Sequence, residues 1–251
     1  MFEPTKTVRQ YALEIPASTR IFEKLGIDYC CGGAKSLADA CNQAGVAVAD
    51  VLRSLMTDAT SAGNFADAGW HTTSQAELVG HIVEKHHAFT RAELERLEAL
   101  LAKVCGVHGQ NHPELFYIHD QFGRLRGDLE PHMLKEESVL FPYIIRMEAA
   151  IVGNQALPTP PFGTVRNPVR MMMAEHDAAG YILGRIREAS SDYTVPADGC
   201  ISYKTLYSAL AELEVDLHQH IHLENNILFP RAAELEDMSW SIQRLVTTPQ
   251  C

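Results

Sequence analysis

Positive charge is scarce in this sequence: 21 Lys and Arg stand against 32 Asp and Glu over 251 residues, a formal net charge of −11. Nucleic-acid binding needs a basic surface to neutralise phosphates, so this balance excludes it as a general activity. Residues 1–60 carry six of the basic and seven of the acidic residues, so nearly all of the excess negative charge belongs to the later part of the chain. Long apolar runs are missing as well. No stretch approaches the roughly 18 consecutive apolar residues of a membrane span, and Met1–Gln10 lacks the apolar core of a signal peptide. The expected setting is cytoplasmic, with no membrane and no nucleic acid as partner. The six cysteines are then expected to be reduced thiols rather than a disulfide framework.

What is present is helix-forming. Hydrophobic residues make up 46% of the chain, ample for a core. Punctuation separates a small front piece from four long amphipathic segments at roughly 74–105, 114–151, 167–189 and 201–237. In the front piece, which runs to about residue 60, Ser18 is placed to cap a helix ending at Gly26, and Ser36 with Asp39 resembles a capping box. Residues 61–73 read as a linker, and Ser74 as the cap of the first long helix. The expectation is an all-α protein: a small helical N-terminal domain (1–60), a four-helix up-and-down bundle (74–237) and a tail (238–251). The loop 152–168, with four prolines, is the longest connection and reads as a surface flap.

Two copies of one pattern lie 88 positions apart. His132-Met-Leu-Lys-Glu136-Glu-Ser-Val-Leu-Phe-Pro142 and His220-Ile-His-Leu-Glu224-Asn-Asn-Ile-Leu-Phe-Pro230 both read H-x-x-x-E-x-x-x-L-F-P. On a helix, residues four apart share a face, so each His–Glu pair can serve one metal-centred cluster. Both pairs fall on apolar stripes: Leu125, Leu129, His132, Glu136, Leu140 in one and Leu213, Leu217, His220, Glu224, Leu228 in the other. Inward carboxylates and imidazoles must compensate one another or share a cation. Each proline lacks an N–H and crowds the preceding turn. It should kink the helix at Pro142 and end it soon after Pro230.

Two further histidines extend the set. His176 sits amid Val169, Met172, Ala179, Leu183 and Ile186. His87 sits amid Val79, Val83, Thr90, Leu94 and Leu97, with His86 as its rival on a weaker stripe of Leu78, Ile82 and Phe89. The intervals from His87 through His132 and His176 to His220 are 45, 44 and 44 residues, one histidine per helix. Four imidazoles and two carboxylates suit two first-row transition ions, iron first, with zinc or manganese as alternatives. Calcium and magnesium prefer oxygen alone, and structural zinc favours cysteine.

The helices bearing His87, His132/Glu136, Glu175-His176-Asp177 and His220/Glu224-Asn225-Asn226 resemble the hemerythrin-like bundle of the RIC proteins (the YtfE/ScdA type). Gly26-Ile-Asp-Tyr-Cys30-Cys31-Gly-Gly33 resembles the signature of that family's amino-terminal domain. The resemblance covers almost the whole chain. It implies a non-haem, oxo- and carboxylate-bridged pair of iron ions held by His87, His132, His176 and His220, with Glu136 and Glu224 as bridges, and it selects His87 over His86. It also implies repair of iron–sulfur clusters after nitrosative or oxidative stress, by iron donation to damaged iron–sulfur proteins. The loop 152–168 is long for the family, and Met238–Cys251 has no counterpart in it.

Cys30 and Cys31, followed by two glycines, read either as a turn in which a thiol fills a gap or as a thiol pair for redox or iron transfer. His81, His86, His218 and His222 flank the ligands as outer or surface residues. Two other functional classes remain beside repair: an enzyme reducing nitric oxide or dioxygen at the same centre, and an oxygen or iron sensor. Whether the chain is an enzyme, and whether it forms a homodimer, stay open at this point.

Overall fold

The computed structural model describes residues 3–59 and 69–247, and these are helical throughout, with no strand among them beyond a single bridge between Thr7 and Ser36. Four short helices form the front of the chain: α1 (Val8–Glu14), α2 (Ser18–Lys24), α3 (Leu37–Ala44) and α4 (Val48–Ala59). Four long ones follow. We number them α5 (75–108), α6 (114–152), α7 (Arg166–Ala189) and α8 (201–247). Residues 61–68 of the expected linker and the last four residues of the expected tail lie outside the described residues. The last helix itself runs on to Thr247.

Local signals explain most helix starts. Thr7 accepts a hydrogen bond from the Gln10 amide, and Ser36 accepts one from the Asp39 amide. Ser74 and Glu77 form a reciprocal capping box, and Glu148 of α6 accepts from the Gln75 and Ala76 amides at 2.7 and 3.0 Å. Ser18 does not cap α2. Its amide already donates to the Ile15 carbonyl at 2.7 Å, Ala17 in right-handed helical conformation holds the cap position, and Ser18 is buried in the first turn. Gly26, at φ 64°, reverses the chain after α2, a conformation that costs a side-chain-bearing residue more than glycine.

Three of the four long helices contain a π-helical turn: Ile82–His87 in α5, Glu136–Leu140 in α6 and Leu223–Leu228 in α8. The second and third lie directly ahead of Pro142 and Pro230. The wider turn supplies room for a residue that lacks an N–H and crowds the carbonyl four positions back, so α-helix resumes at Phe141 and at Phe229. The expected end after Pro230 is therefore wrong: that helix continues for four more turns. In α5 the extra residue shifts the phase of burial. Upstream of the π-turn the buried apolar positions are Leu78 and Val79, within it Ile82, and downstream Leu94, Leu97 and Leu101 with Thr90. The first turns thus bury members of both rival stripes and the later turns follow the His87 stripe, and both His86 and His87 are buried.

The long helices pack around the bundle in chain order, α6 against both α5 and α7, with α8 closing on α5. Two apolar blocks fill the interior. One, with Leu94, Leu101, Phe122, Leu129, Leu183, Tyr207 and Leu213, occupies the end near the 109–113 and 190–200 turns. The other, with Leu78, Ile82, Phe141, Ile144, Met147, Met172, Leu228 and Phe229, fills the opposite end. Each fully buried Leu or Phe contributes about 1.5–3 kcal/mol, so the two blocks hold the layer between them rigidly. The loop 153–165 packs down on the second block. Phe162 stands edge-on to Tyr143 at 5.0 Å, the Tyr143 hydroxyl donates to the Pro158 carbonyl, and Glu236 accepts from the Val165 amide at 2.9 Å. It is a clasp rather than a free flap.

The front helices have a core of their own, built on Tyr11, Phe22, Tyr29, Leu37, Val51 and Leu55, into which Ile221 of α8 reaches. Polar contacts fix the seam. Arg9 donates to the Asn226 carbonyl at 3.0 Å, Asn226 donates to the Tyr29 carbonyl at 3.0 Å, and the His218 ring bonds Glu23 at 2.9 Å. No described helix is long and apolar enough to cross a membrane.

Candidate metal centre

His87, His132, Glu136, His176, His220 and Glu224 converge in the layer between the two apolar blocks, all of them buried. They form two four-donor groups that share both glutamates: His87, His220, Glu136 and Glu224 on one side, and His132, His176, Glu136 and Glu224 on the other. Within each group the two histidines face each other through Nε2, at 3.1 Å for His87 and His220 and 3.0 Å for His132 and His176. The His220 Nε2 lies 3.0 Å from Glu224 Oε1, and the His176 Nε2 lies 3.1 Å from Glu224 Oε2, so one carboxylate faces both groups. Glu136 Oε2 similarly lies 3.3 Å from His132 and 3.5 Å from His87.

Three of the four rings are aimed by their outer nitrogen. The Nδ1 of His87 donates to Glu137 at 2.7 Å, that of His132 to Glu175 at 2.7 Å, and that of His176 to Asn225 Oδ1 at 2.9 Å. These partners are held in turn by Arg91 on Glu137 and Lys135 on Glu175. An acceptor on Nδ1 fixes the tautomer and leaves the Nε2 lone pair facing inward, as metal-ligating histidines require. The phenylalanines of the two repeated motifs act alike. Phe141 stacks on His87 at 5.7 Å and Phe229 on His176 at 6.1 Å, each covering a ring from the neighbouring helix.

The charge balance within the layer points to a cation. Both oxygens of Glu136 and Oε2 of Glu224 are buried without a hydrogen-bond partner among the described residues, a costly arrangement for carboxylates. Burial opposes charging the rings, yet the Glu136 and Glu224 carboxylates outweigh it and raise the His87 ring to about 10. Burial opposed chiefly by Glu136 likewise leaves the His132 ring at about 9. Burial also works against the Glu224 carboxylate, but His220 and the neighbouring rings hold it well below the usual carboxylate range. The two carboxylates thus draw positive charge into the layer, a role that protons on the rings or a shared cation can fill. Imidazole nitrogens and carboxylate oxygens, with no sulfur among them, form a donor set suited to first-row transition ions.

The structure separates the two rival histidines. His87 enters the cluster, whereas His86 turns its Nδ1 to Asp216 at 3.0 Å and stacks on His220 at 5.9 Å. His81 packs at a tilt against Trp70, His218 bonds Glu23, and His222 is buried against Asn226, its burial pushing the ring down to about 4. Cys30 and Cys31 lie outside the bundle interior, joined by Asp28 in a third group of metal-competent donors. The neighbouring Cys31, together with burial, pushes the Cys30 thiol well up. Glu137 enters the reading of the sequence only as a neighbour of a ligand, and Glu175, Asn225 and Asp28 only as members of motifs, with no role for any of the four. The first three adjoin ligands in sequence, but only the cross-helix packing shows that Glu137 and Glu175 serve histidines of other helices.

Two protein families match consecutive parts of the chain: the "Hemerythrin HHE cation binding domain" over residues 79–232 and the "Domain of Unknown function (DUF542)" over residues 4–59. The chain is 36% identical to the "Probable iron-sulfur cluster repair protein" of Haemophilus influenzae over 222 residues, covering 88% of this chain and 94% of that one. It is 34% identical to the iron-sulfur cluster repair protein YtfE of Dickeya chrysanthemi over 227 residues, 90% of this chain and 96% of the other. The same protein of Escherichia coli O81 matches at 34% over 223 residues, 89% and 94% of the two chains. A two-part match of this extent, over a bundle whose interior presents paired histidines and shared glutamates, establishes that the chain belongs to the YtfE/ScdA-type family of hemerythrin-like proteins.

Proposed function

We propose that the chain repairs damaged iron–sulfur clusters by giving up iron held between His87, His132, Glu136, His176, His220 and Glu224. The observation that carries this reading is the pair of four-donor groups sharing two buried glutamates, three of whose four oxygens have no hydrogen-bond partner among the described residues. Two non-haem iron ions fit that donor set, one per histidine pair, with both glutamates common to them. Iron bound by imidazole and carboxylate supplies a redox-active cargo that is labile compared with iron in a thiolate-bound cluster.

The chain's own residues divide the remaining work. Glu137, Glu175 and Asn225 hold three rings in the tautomer that frees Nε2. The apolar blocks on either side keep water from the layer and resist collapse when cargo leaves. Cys30 and Cys31 serve thiol or iron transfer between the bundle (74–237) and a client, and the small domain (1–60) presents them. The setting is the cytoplasm, and the clients are iron–sulfur proteins damaged by nitric oxide or peroxide.

The test uses a cluster enzyme inactivated by nitric oxide and the reduced, iron-loaded protein with no other iron source. Activity should return with the wild-type chain and fail with apo protein and with His132→Ala. Equal repair by apo protein refutes iron donation. Catalytic consumption of nitric oxide faster than repair would replace it with a reductase.

A further inference from the structure

The turn after α2 is wound tightly around one carboxylate. Asp28 folds back so that its Oδ1 accepts from the Cys31 amide at 2.9 Å and its Oδ2 from the Gly32 amide at 2.8 Å. The two glycines make that winding possible. A Cβ on Gly32 would stand 2.9 Å from Asp28 Oδ2, and one on Gly33 would stand 2.9 Å from the Tyr29 carbonyl. The result brings three donor atoms together: the Cys30 and Cys31 sulfurs 3.8 Å apart, and Asp28 Oδ1 3.5 Å from the Cys30 sulfur.

Those separations match a tetrahedral ion. Metal–sulfur bonds of about 2.3 Å put two ligand sulfurs about 3.8 Å apart, and a metal–oxygen bond of about 2.1 Å puts oxygen about 3.6 Å from sulfur. Cys30 is buried and Cys31 half-buried at the wall of a cavity of about 400 Å³ lined also by Asp177, Gly180 and His218. Gly180 of α7 borders this space, and a Cβ there would make only an ordinary contact, 3.9 Å from the Cys31 sulfur. A fourth coordination position can therefore face open space.

The turn is also tied to one side of the bundle centre. Asn225 donates through Nδ2 to the Cys30 carbonyl at 3.2 Å while its Oδ1 accepts from His176 Nδ1 at 2.9 Å. One side chain thus spans from the Cys-Cys turn to the His132/His176 group.

We propose that Asp28, Cys30 and Cys31 form a third metal site, mononuclear and open to the cavity, for a thiophilic divalent cation, next to the His132/His176 half of the bundle centre. Two thiolates and a carboxylate give a softer, more negative donor set than the bundle's, which favours iron(II), zinc or cadmium over calcium or magnesium. The site stands on its own geometry, and its meaning as a way-station for iron rests on the function proposed above.

Cadmium added to the iron-loaded protein under a thiol-free reductant tests the site. One cadmium per chain should bind with near-ultraviolet thiolate-to-metal absorption and without loss of iron. Cys30→Ser and Cys31→Ser should each abolish that absorption, Asp28→Asn should weaken binding on the order of tenfold, and Cys200→Ser should leave it intact. Iron content and far-ultraviolet circular dichroism of each variant show whether it is folded. In the wild type, bound cadmium should also protect Cys30 and Cys31 from alkylation, mapped by mass spectrometry. Unchanged absorption in the Cys30 and Cys31 variants, cadmium that binds only by displacing iron, or unprotected thiols would overturn the third site. Lack of cadmium binding with repair intact removes the site and leaves iron donation standing. Cadmium binding with iron-independent repair supports the site and removes iron donation.

Discussion

Replacing Asn225 by alanine should separate the front domain from the bundle centre. The side chain is buried at 5% exposure and bonds two buried partners, the His176 ring and the Cys30 carbonyl. Stranding a buried donor or acceptor costs about 1–3 kcal/mol each, or about 2–6 kcal/mol for the pair. The cavity beside Cys31 lets water serve the Cys30 carbonyl, which puts the expected loss at about 2–3 kcal/mol. For a chain of this size that lowers Tm by about 4–12 °C. The freed His176 ring should also lose cargo to a chelator about 10–100 times more readily, as when a metal ligand loses its outer partner. Asn225→Asp divides the two effects, because it keeps an acceptor for His176 but loses the donor to Cys30. It should melt early yet retain metal better than the alanine variant. An alanine variant that melts within about 1 °C of wild type and keeps its metal equally long, or an aspartate variant that loses metal as fast as alanine, would refute the reasoning.

Glu136→Ala and His220→Ala should each lose much of the bound iron measured by elemental analysis, since each removes a donor from one or both groups. Chelating the metal from the wild-type chain should lower Tm by at least about 5 °C, the effect of removing a ligand present at about 100 times its Kd, as read by calorimetry. Cys200, exposed at the start of α8, is held near a pKa of about 7 by the Tyr203 amide and by His108 Nε2 at 3.1 Å. The thiolate is the nucleophile, so its alkylation should be slow below pH 6, rise through pH 7 and level off above pH 8. Buried Cys30, whose thiol is pushed up, should react far more slowly at pH 7 in a mass-spectrometric time course.

The bundle was legible because its signals are periodic. The spacings His132–Glu136 and His220–Glu224 follow one helical turn, and their apolar neighbours mark the inward face before any packing is known. The same periodic reading missed the π-turns, since a stripe drawn at 3.6 residues per turn takes no account of one inserted residue. It therefore treated Val79–Val83 and Leu78–Ile82 as competitors when α5 uses parts of both, and it ended the last helix soon after Pro230, near residue 237, short of Thr247. The outer partners were hidden for another reason. Glu137 and Glu175 look like ordinary solvated residues of their own helices, and their acceptor role exists only where a neighbouring helix presents a ring nitrogen. Ser18 failed as a cap because Pro16 and Ala17 already start the turn, a matter of backbone conformation that residue type alone does not report. Asp28 joined the cysteines only through a hairpin-tight turn that two glycines permit.

The central claim is that iron held by the six buried side chains reaches the cluster of a damaged client. Loading the protein with isotope-labelled iron, incubating it in the reduced state with a nitric oxide-treated cluster protein, separating the two and reading the client's cluster by Mössbauer spectroscopy tests this directly. The account predicts label within the rebuilt cluster, in proportion to recovered activity, and none when His132→Ala replaces the wild type. A repaired cluster without label, with the label still on the donor, would contradict it.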